Sequence, residues 1–460
     1  MRHRGGVVTI RTRVRRGSVA FIPLAVLTLL SGFGAFSASA APPATDASEV
    51  THWNQVAVTT LMAFPPPNGG AAPAMQINLG IVQGAVYDAV NAIGTKKHQP
   101  YLLKKRVGAK ASVDAAVATA AYDVLSALVT SAPERAPFPG RAGLLTTLSN
   151  EYAASLGAIS RGASKSQGIK IGHAAAKVML HARARDGRFG PSQWTPDSRP
   201  GHWSPLLNPA GQPILDPTPW VGGVKPFFLK SSSQFRSVPP PALDSAQYAA
   251  EFNEVKALGR ATGSTRTDQQ TFNARWWQSA PGISWNDVAR QLIARNDVNA
   301  ADSARLLALL NMGGADAAIN CWNDKYYFDF WRPWNAIARA GEDGNADTTA
   351  DATWAPLISA PYPEWTSGHN CLDASEVSAL RLFFGDTPGK FSITSFSGAF
   401  PTPPASMVRT FDTFSQPLAE LIEARIWAGL HYRSGDVAGQ VLGNNVARYA
   451  NAHYFLPVGH

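Results

Sequence analysis

Three short segments of the chain carry side chains that could together bind an oxyanion. Each combines cations or histidines with a helix-forming pattern. The candidate residues are Lys325 and Arg332 in "NDKYYFDFWRPWNAI", Ser367, Gly368 and His369 in "PEWTSGHNC", and Arg425, His431 and Asp436 in "ARIWAGLHYRSGDVAG". Cations and backbone N–H groups can hold the equatorial oxygens of a tetrahedral anion that becomes five-coordinate, while two histidines serve its apical positions. The set therefore predicts oxyanion chemistry.

The first segment places two cations seven residues apart. On a continuous α-helix this spacing brings Lys325 and Arg332 onto one face, about 10 Å apart along the axis, with Pro333 ending or kinking the helix. Long cations among aromatic side chains are costly to bury unless they meet an anion. The alternative is that Asp329 pairs with Lys325 and that Arg332 reaches water.

The second segment begins an apolar helical run. Ser367 is typical of a helix N-cap, and the same geometry directs free backbone N–H groups and the helix dipole at an anion. Gly368 would allow that anion to approach the backbone, and His369 could exchange a proton with a bound oxygen. The alternative is an ordinary helix cap.

The third segment separates its two key residues by six positions. Arg425 and His431 then lie roughly 120° apart around an unbroken helix, so both reach one site only if the helix bends, for which Gly429 is suitable, or if Arg425 stretches across. Asp436 is a candidate to hold one imidazole nitrogen, which leaves the other free as a ligand or nucleophile. The alternative is that His431 is an ordinary core residue.

The elements that must position these residues are predicted to be helices. Apolar residues recur at three- and four-residue intervals, and alternating strand patterns are scarce. These patterns predict an all-α protein built as one helical bundle or two packed bundles. The predicted helical segments are 53–64, 75–94, 112–131, 141–159, 166–187, 243–263, 266–280, 283–331, 371–385 and 416–455. Residues 187–240 lack a period and are rich in Pro, Gly, Trp and Ser, which favours an ordered cover over a linker.

The N-terminus has the pattern of a secretory signal. Basic "RTRVRRG" precedes apolar "VAFIPLAVLTLLSGFGAF", and Ala38 and Ala40 stand at −3 and −1 of a small-residue cleavage site. The pattern predicts a signal peptide over 1–40, a single all-α domain over 41–460 and a secreted, extracytoplasmic protein. Arg15-Arg16 leaves general secretion and twin-arginine export both open.

The net charge of +9 comes largely from this signal. Its six arginines are accompanied by no acid, so the remaining chain has 35 basic and 32 acidic side chains. The charge therefore gives no reason to expect nucleic acid or an anionic membrane as a partner. No other stretch reaches the roughly 20 apolar residues of a membrane span. The sequence is compatible with a homo-oligomer and does not decide it.

The chain has two cysteines, Cys321 and Cys371. In an exported protein they can form one disulfide. Cys321 precedes Lys325 by four residues and Cys371 follows His369 by two, so the cysteines meet if these segments share a site. The alternative is two unpaired buried thiols.

Together the three segments resemble the signature shared by vanadium-dependent haloperoxidases and type 2 phosphatidic acid phosphatases. The signature segments here are 325–333, 366–369 and 425–436. Lys-x6-Arg-Pro is matched by Lys325, Arg332 and Pro333, Pro-Ser-Gly-His by 366–369 with Thr366 in place of proline, and Arg-x5-His by Arg425 and His431. The family's aspartate follows this histidine by four residues, whereas Asp436 follows by five. "DKYYFDFWRPWNAI", "YPEWTSGH" and "QGAVYDAVNAI" are most similar to bacterial exported haloperoxidases.

This resemblance implies an all-α fold of two helix bundles and a vanadate cofactor. Vanadate would be bound through His431, with its oxygens held by Lys325, Arg332, Arg425, Ser367 and the Gly368 amide. His369 would act as acid–base toward hydrogen peroxide, and a halide would be oxidised to hypohalous acid. Trp322 and Tyr362 match positions that flank the halide. The family tends to have phenylalanine at the second position in a chloroperoxidase and histidine in bromoperoxidases, so tyrosine leaves the halide open.

Two other functions use the same residues. An acid phosphatase on this scaffold would need no cofactor and would cleave a phosphate ester through a phosphohistidine at His431, with His369 protonating the leaving group. A non-catalytic phosphate-binding or surface protein would retain the anion site without the chemistry. The signature separates these functions poorly, because vanadate mimics phosphate in its five-coordinate state.

Overall fold

The computed structural model describes residues 47–94, 98–191, 194–195 and 197–458. The predicted signal peptide over 1–40, with cleavage near Ala40, lies outside these residues.

Within the described residues the chain forms thirteen α-helices and two short strands. The first five helices are α1 Ser48–Met62, α2 Ala72–Asn91, α3 Val113–Ser131, α4 Arg141–Ala158 and α5 Ala163–Arg183. The next five are α6 Ala246–Leu258, α7 Asp268–Trp276, α8 Pro281–Arg295, α9 Ala300–Phe328 and α10 Pro333–Ala338. The last elements are α11 Gly368–Phe384, β1 Phe391–Thr394, β2 Val408–Phe411, α12 Ser415–Trp427 and α13 Arg433–His453. The prediction of an all-α fold is confirmed.

The two strands depart from the helical prediction. β1 and β2 pair antiparallel, with Phe391 opposite Phe411 and Thr394 opposite Val408. Each strand has four residues, and β1 alternates buried and partly buried positions as it packs on α8. Four residues are too few for an alternating pattern to be distinguished from an irregular loop.

Helix α9 lies at the centre of the molecule and is buried along most of its length. It packs against α2 and against α11 and α13, while α3 and α5 pack on α2 and α4 packs on α3. Two glycines of α13 allow it to approach α11. A Cβ at Gly439 would lie 2.8 Å from the Ser367 carbonyl oxygen, and one at Gly443 would lie 2.2 Å from that of Cys371. Small residues here bring α13 against the beginning of α11.

The described residues of the segment 187–240 are irregular apart from a 3₁₀ turn at Val221–Gly223, and they are fastened to α9. Asp316, Asn320 and Asp324 lie four residues apart on one face of α9. The Asp316 carboxylate accepts hydrogen bonds from the backbone N–H groups of residues 227, 228 and 229, at 2.6 to 2.9 Å. Asn320 accepts from the Phe235 amide, and Asp324 accepts from the Ser237 amide and from Arg236. These bonds order the segment as a cover.

By length and composition, α3 is the one helix of the described residues that could cross a membrane. It packs against α2, α4 and α5, and most of it is buried in the protein. Core helices of globular proteins pass the same test, so α3 is weak support for a membrane span.

Candidate active site

Lys325 and Arg332 do not lie on one continuous helix, contrary to the sequence prediction. Helix α9 ends at Phe328 because Asp329 takes a left-handed conformation, with φ of 48°. Arg332 is the N-cap residue of α10, and Pro333 occupies the first turn of that helix. Pro333 therefore begins a helix where the sequence predicted that it would end one. The turn between the helices brings both cations into the protein interior, where each side chain is fully buried.

Neither part of the alternative interpretation of this segment holds. The Asp329 carboxylate accepts from Trp194 Nε1 at 2.8 Å and pairs with His202 Nδ1 at 3.0 Å, so it fastens the cover and not Lys325. Lys325 Nζ donates to the backbone carbonyl oxygens of residues 363, 364 and 366, at 3.1, 3.1 and 2.5 Å. Three neutral acceptors use the three ammonium hydrogens, so no carboxylate is hydrogen-bonded to this cation.

Ser367 is the N-cap residue of α11, as predicted, but its side chain does not cap the helix. Ser367 Oγ instead accepts from Asn370 Nδ2 at 3.2 Å. The first amide groups of α11 therefore have no side-chain acceptor, which leaves the helix N-terminus suited to an anion. Gly368 faces Trp322, and a Cβ at this glycine would lie 3.1 Å from the indole ring and 3.7 Å from Lys325 Cε.

The predicted bend between Arg425 and His431 is present. Helix α12 ends at Trp427, and Gly429 has a φ of 76°, a conformation that glycine adopts without steric cost. His431 therefore lies in the short connection before α13, and Arg425 lies in the last turn of α12. Arg425 Nη1 donates to Gln278 Oε1 at 3.0 Å, and both Arg425 and His431 are buried.

The imidazole of His431 is held between an acid and an arginine. Its Nδ1 lies 2.7 Å from Glu364 Oε1, and its Nε2 lies 3.1 Å from Arg332 Nη1. Because a guanidinium can only donate, Nε2 must accept, so the ring proton is on Nδ1 and is donated to Glu364. The lone pair of Nε2 then faces Arg332, where a metal or an electrophile could bind it.

The prediction that Asp436 orients His431 is wrong. Asp436 lies in the first turn of α13, and its Oδ1 accepts from Asn370 Nδ2 at 2.7 Å. Its side chain supports Ser367 and Asn370 at the start of α11. Glu364 has the orienting role because the turn before α11 places it closer to the imidazole than the helical position five residues after His431.

Burial and mutual repulsion shape the protonation of the site. The pKa of His431 is held well below its usual value by burial and then by Arg332 and Lys325. Burial followed by Arg425 lowers the pKa of His369 well below its usual value, so both imidazoles are neutral near pH 7. Burial and then Arg332 lower the pKa of Lys325. Burial raises the pKa of Glu364 to about 7 against the opposing effect of Arg332.

The aromatic residues proposed for a halide pocket pack beside each other and beside the buried cations. The Trp322 and Tyr362 rings lie 5.1 Å apart, and Lys325 Nζ lies 5.0 Å from the Tyr362 ring and 5.6 Å from that of Trp322. The Arg332 guanidinium lies 5.2 Å from the Tyr362 ring. Tyr362 and His369 are partly exposed while the cations and His431 are buried, so these two residues mark the side from which a small molecule can enter.

We call Lys325, Arg332 and Arg425 the cationic cradle. Arg332 Nη2 and Arg425 Nε are buried donors that have no partner among the described residues. Unpaired buried donors are costly, and a tetrahedral oxyanion would satisfy them. Their positions beside the lone pair of His431 fit vanadate or phosphate.

Cys321 of α9 and Cys371 of α11 form a disulfide, as predicted. The bond joins the helix that holds Lys325 to the helix that begins at Gly368. It therefore fixes two walls of the site to each other, and both cysteines are fully buried.

Sequence reasoning missed three residues that support the site. Glu364 stands inside the quoted segment "PEWTSGHNC" and holds His431, although a carboxylate 67 positions away from its partner gives no local pattern. Gln278 contacts Arg425. Asp216, from the cover, accepts from Trp322 Nε1 at 2.9 Å and from the Tyr326 hydroxyl at 2.8 Å.

Comparisons with known proteins agree with this fold. Residues 305–458 match the family model of the VCPO second helical-bundle domain. Vanadium chloroperoxidase of Curvularia inaequalis is 24% identical over 276 residues, which are 47% of this chain and 45% of that protein. The match thus spans less than half of this curated relative's length.

Solved structures with the same fold include two bacterial enzymes. A bacterial vanadium-dependent iodoperoxidase superposes with a TM-score of 0.69 at 22% identity, covering 90% of this chain and 98% of that one. A bacterial vanadium-dependent chloroperoxidase superposes with a TM-score of 0.65 at 17% identity, covering 85% and 93%. The family match over residues 305–458 and the shared fold support a relationship of the chain to the superfamily of the vanadium haloperoxidases.

Proposed function

We propose that the protein is an exported vanadate-dependent haloperoxidase that oxidises a halide with hydrogen peroxide to hypohalous acid. The observation that carries the proposal is that buried donors without a partner among the described residues, Arg332 Nη2 and Arg425 Nε, occur in the same site as the unprotonated Nε2 of His431, which faces Arg332. The relatives named as vanadium chloroperoxidase and iodoperoxidase support it. The net reaction is H2O2 + X⁻ + H⁺ → HOX + H2O.

His431 would hold vanadate through Nε2, because Glu364 keeps the proton on Nδ1. The cationic cradle would hold the anion's oxygens, with Ser367 Oγ and the Gly368 amide at the helix start. When bound, vanadate supplies a Lewis-acidic centre that activates hydrogen peroxide toward a halide. His369 would move protons at the oxygen on the open side of the site, which its neutral imidazole can do. Trp322 and Tyr362 would line the halide's position.

The closed shape of the site favours peroxide and halide over a phosphate ester. The cationic cradle and His431 are at most 3% exposed, and access lies beside Tyr362 and His369. A peroxide molecule and a halide ion are small enough for such a site, whereas an ester must also place its organic group there. Acid phosphatase activity is therefore the second outcome of the test.

The purified mature protein tests the proposal in two parallel assays. We expect halide-dependent consumption of peroxide that requires added vanadate, with chloride, bromide and iodide compared. Hydrolysis of p-nitrophenyl phosphate that vanadate inhibits, without peroxidase activity, would replace the proposal with the phosphatase. His431→Ala should abolish either activity, and a variant that keeps full activity would reject the site itself.

Export is the remaining part of the proposal, and it rests on the sequence of residues 1–40. We expect the full chain to appear outside the cytoplasm with an N-terminus near Ala41, which N-terminal sequencing of the secreted protein would measure. Arg15→Lys with Arg16→Lys should block export only if the twin-arginine route is used.

A further inference from the structure

Three titratable side chains lie along one face of α11. His369, Asp373 and Glu376 occupy positions i, i+4 and i+7, so they follow one another from the anion site into the core. Asp373 is 2% exposed and Glu376 is fully buried. Neither acid belongs to the site described above. Among the described residues, no lysine, arginine or histidine forms an ion pair with either acid.

Both acids have oxygens without donors. Asp373 Oδ1 accepts from Trp285 Nε1 at 2.6 Å, but its Oδ2 has no partner in the part of the chain described. Both carboxylate oxygens of Glu376 and the amide oxygen of its neighbour Gln76 are also buried, and the one hydrogen bond that lowers the pKa of Glu376 comes from the Gln76 side chain. Gln76 and Glu376 meet at Gly314, where each lies close to the position a Cβ would take. A proton on Glu376 would supply the O–H that this group of acceptors needs.

Few charged groups face Asp373 and Glu376. Arg425 of α12 and His369 of α11 lie on the side of the anion site, and Asp373 and Glu376 face each other. Helices α8 and α2 present Trp285 and Gln76, which do not ionise. Burial raises the pKa of Asp373 to about 7 against the opposing effects of Trp285 and Arg425. Burial and then Asp373 raise the pKa of Glu376 well above its usual value.

We propose that the Asp373–Glu376 pair takes up a proton when an oxyanion enters the cationic cradle and stores it beside the site. The proposal extends the proposed function, since it concerns the oxyanion site on which that function depends. In the protein without the anion, an ionised Asp373 is stabilised by Arg425. A bound oxyanion takes over that interaction and repels the carboxylate, so Asp373 becomes neutral by binding a proton from solvent.

The stored proton has a use in the proposed reaction. Halide oxidation transfers two electrons from the halide to the O–O bond of peroxide. The reaction also consumes one proton, which ends in the water that forms. The neutral imidazole of His369 does not itself carry an extra proton near pH 7. Asp373 lies one helical turn away on the same face of α11. Its stored proton would be a source from which His369 is protonated.

Calorimetric titration with monovanadate tests this coupling in the full protein. Measuring the binding heat in two buffers of different ionisation enthalpy gives the number of protons taken up for each anion bound. We expect Asp373→Asn to lose up to one proton of uptake near pH 7. Its affinity should equal the wild-type affinity below the pKa of Asp373 and exceed it at higher pH, because asparagine never competes with the anion as a negative charge. Comparison at equal pH removes the effect of vanadate speciation.

Two further variants separate coupling from simple structural damage. Trp285→Phe keeps the acid but removes the N–H that stabilises its charged form, so proton uptake should shift to higher pH. Asp316→Asn is the matched control, because it removes another buried acid, with a pKa raised to about 6, whose charged neighbour is Arg183. Its proton uptake should match that of the wild type, and thermal unfolding checks that each variant is folded.

The outcomes are distinct. If the wild type binds vanadate but Asp373→Asn and Trp285→Phe show the wild-type uptake and pH dependence, the coupling is refuted while the proposed function stands. A uniform loss of affinity at every pH in Asp373→Asn would assign the acid a structural role and also refute it. If the wild type binds neither vanadate nor inorganic phosphate, the oxyanion site fails and the coupling fails with it.

Discussion

Glu364→Gln is the substitution that tests the site most directly. The carboxylate accepts from His431 Nδ1 at 2.7 Å and from the Tyr432 amide at 3.2 Å, and all three groups are buried. Glutamine has nearly the same shape but carries an NH2 group in place of one oxygen. With its oxygen toward His431 it offers a neutral acceptor, and with its nitrogen toward His431 it forces the ring proton onto Nε2. Both orientations weaken Nε2 as a ligand.

The size of the effect follows from the bonds that change. A hydrogen bond to a charged group contributes about 1.5–3 kcal/mol, and the new amide hydrogens have no acceptor at the position of Glu364 Oε2. Loss of an outer partner of a metal-binding histidine typically costs about 10–100-fold in affinity or activity. We therefore expect vanadate to bind about 10–100-fold more weakly and the free energy of unfolding to fall by about 1–3 kcal/mol.

Calorimetric titration with vanadate and halide-dependent peroxide consumption would measure this change. Asp436→Asn is the matched control, since Asp436 is equally buried and is also changed from acid to amide, but it contacts Asn370 and not His431. Because Asp436 also supports Ser367, Asp436→Asn should weaken vanadate binding less than Glu364→Gln does. If Asp436→Asn loses affinity and Glu364→Gln does not, the assignment of Glu364 as the partner of His431 is wrong.

Three further predictions concern the walls of the site. Gly368→Ala places a Cβ 3.1 Å from the Trp322 ring, so we expect calorimetry to show weaker vanadate binding. Gly143→Ala on α4 is the control, because the space around this glycine is open. It should keep the vanadate affinity and raise the free energy of unfolding in urea by up to about 1 kcal/mol. Cys321→Ala with Cys371→Ala opens a loop whose ends are 50 residues apart, so the free energy of unfolding should fall by about 4 kcal/mol. Free thiols in a non-reduced digest of the wild-type protein would contradict the disulfide. Asp216→Asn weakens the hydrogen bonds to Trp322 and Tyr326, so the KM for halide should rise with little change in vanadate affinity. An unchanged KM would show that the cover does not position Trp322 for the halide.

The sequence predicted which residues meet, because types and spacing within each segment are visible locally. Ser367 begins α11, and Gly429 allows the chain to turn between Arg425 and His431, since caps and glycine bends are properties of a few neighbouring residues. The disulfide was predicted from the same segments. The helical fold followed from apolar periodicity over long stretches.

The errors arose where a contact joins distant parts of the chain. His431 pairs with Glu364 and not with Asp436, because the approach of the α11 turn to the α12–α13 connection is set by packing. Helix α9 ends before Arg332 because Asp329 takes a left-handed conformation, which a non-glycine residue adopts only when its surroundings compensate. Here the compensation includes bonds from Trp194 and His202, far away in the cover.

The cations of the site are held almost entirely by neutral acceptors, and this choice explains how a buried site can stay attractive to an anion. Lys325 donates to three backbone carbonyls, Arg332 donates to the carbonyls of residues 362 and 430, and Arg425 donates to Gln278. Carboxylate partners would position the same side chains but would cancel their charge.

Glu364, an acid of the same site, makes its hydrogen bonds to His431 and to a backbone amide. Burying uncompensated cations costs free energy, and the disulfide and the helix packing on α9 offset that cost. Binding of an oxyanion then offsets the electrostatic free energy that was lost when the cations were buried. The chain therefore places its positive charges at the ends of helices, because loop carbonyls there are free to hold them without neutralising them.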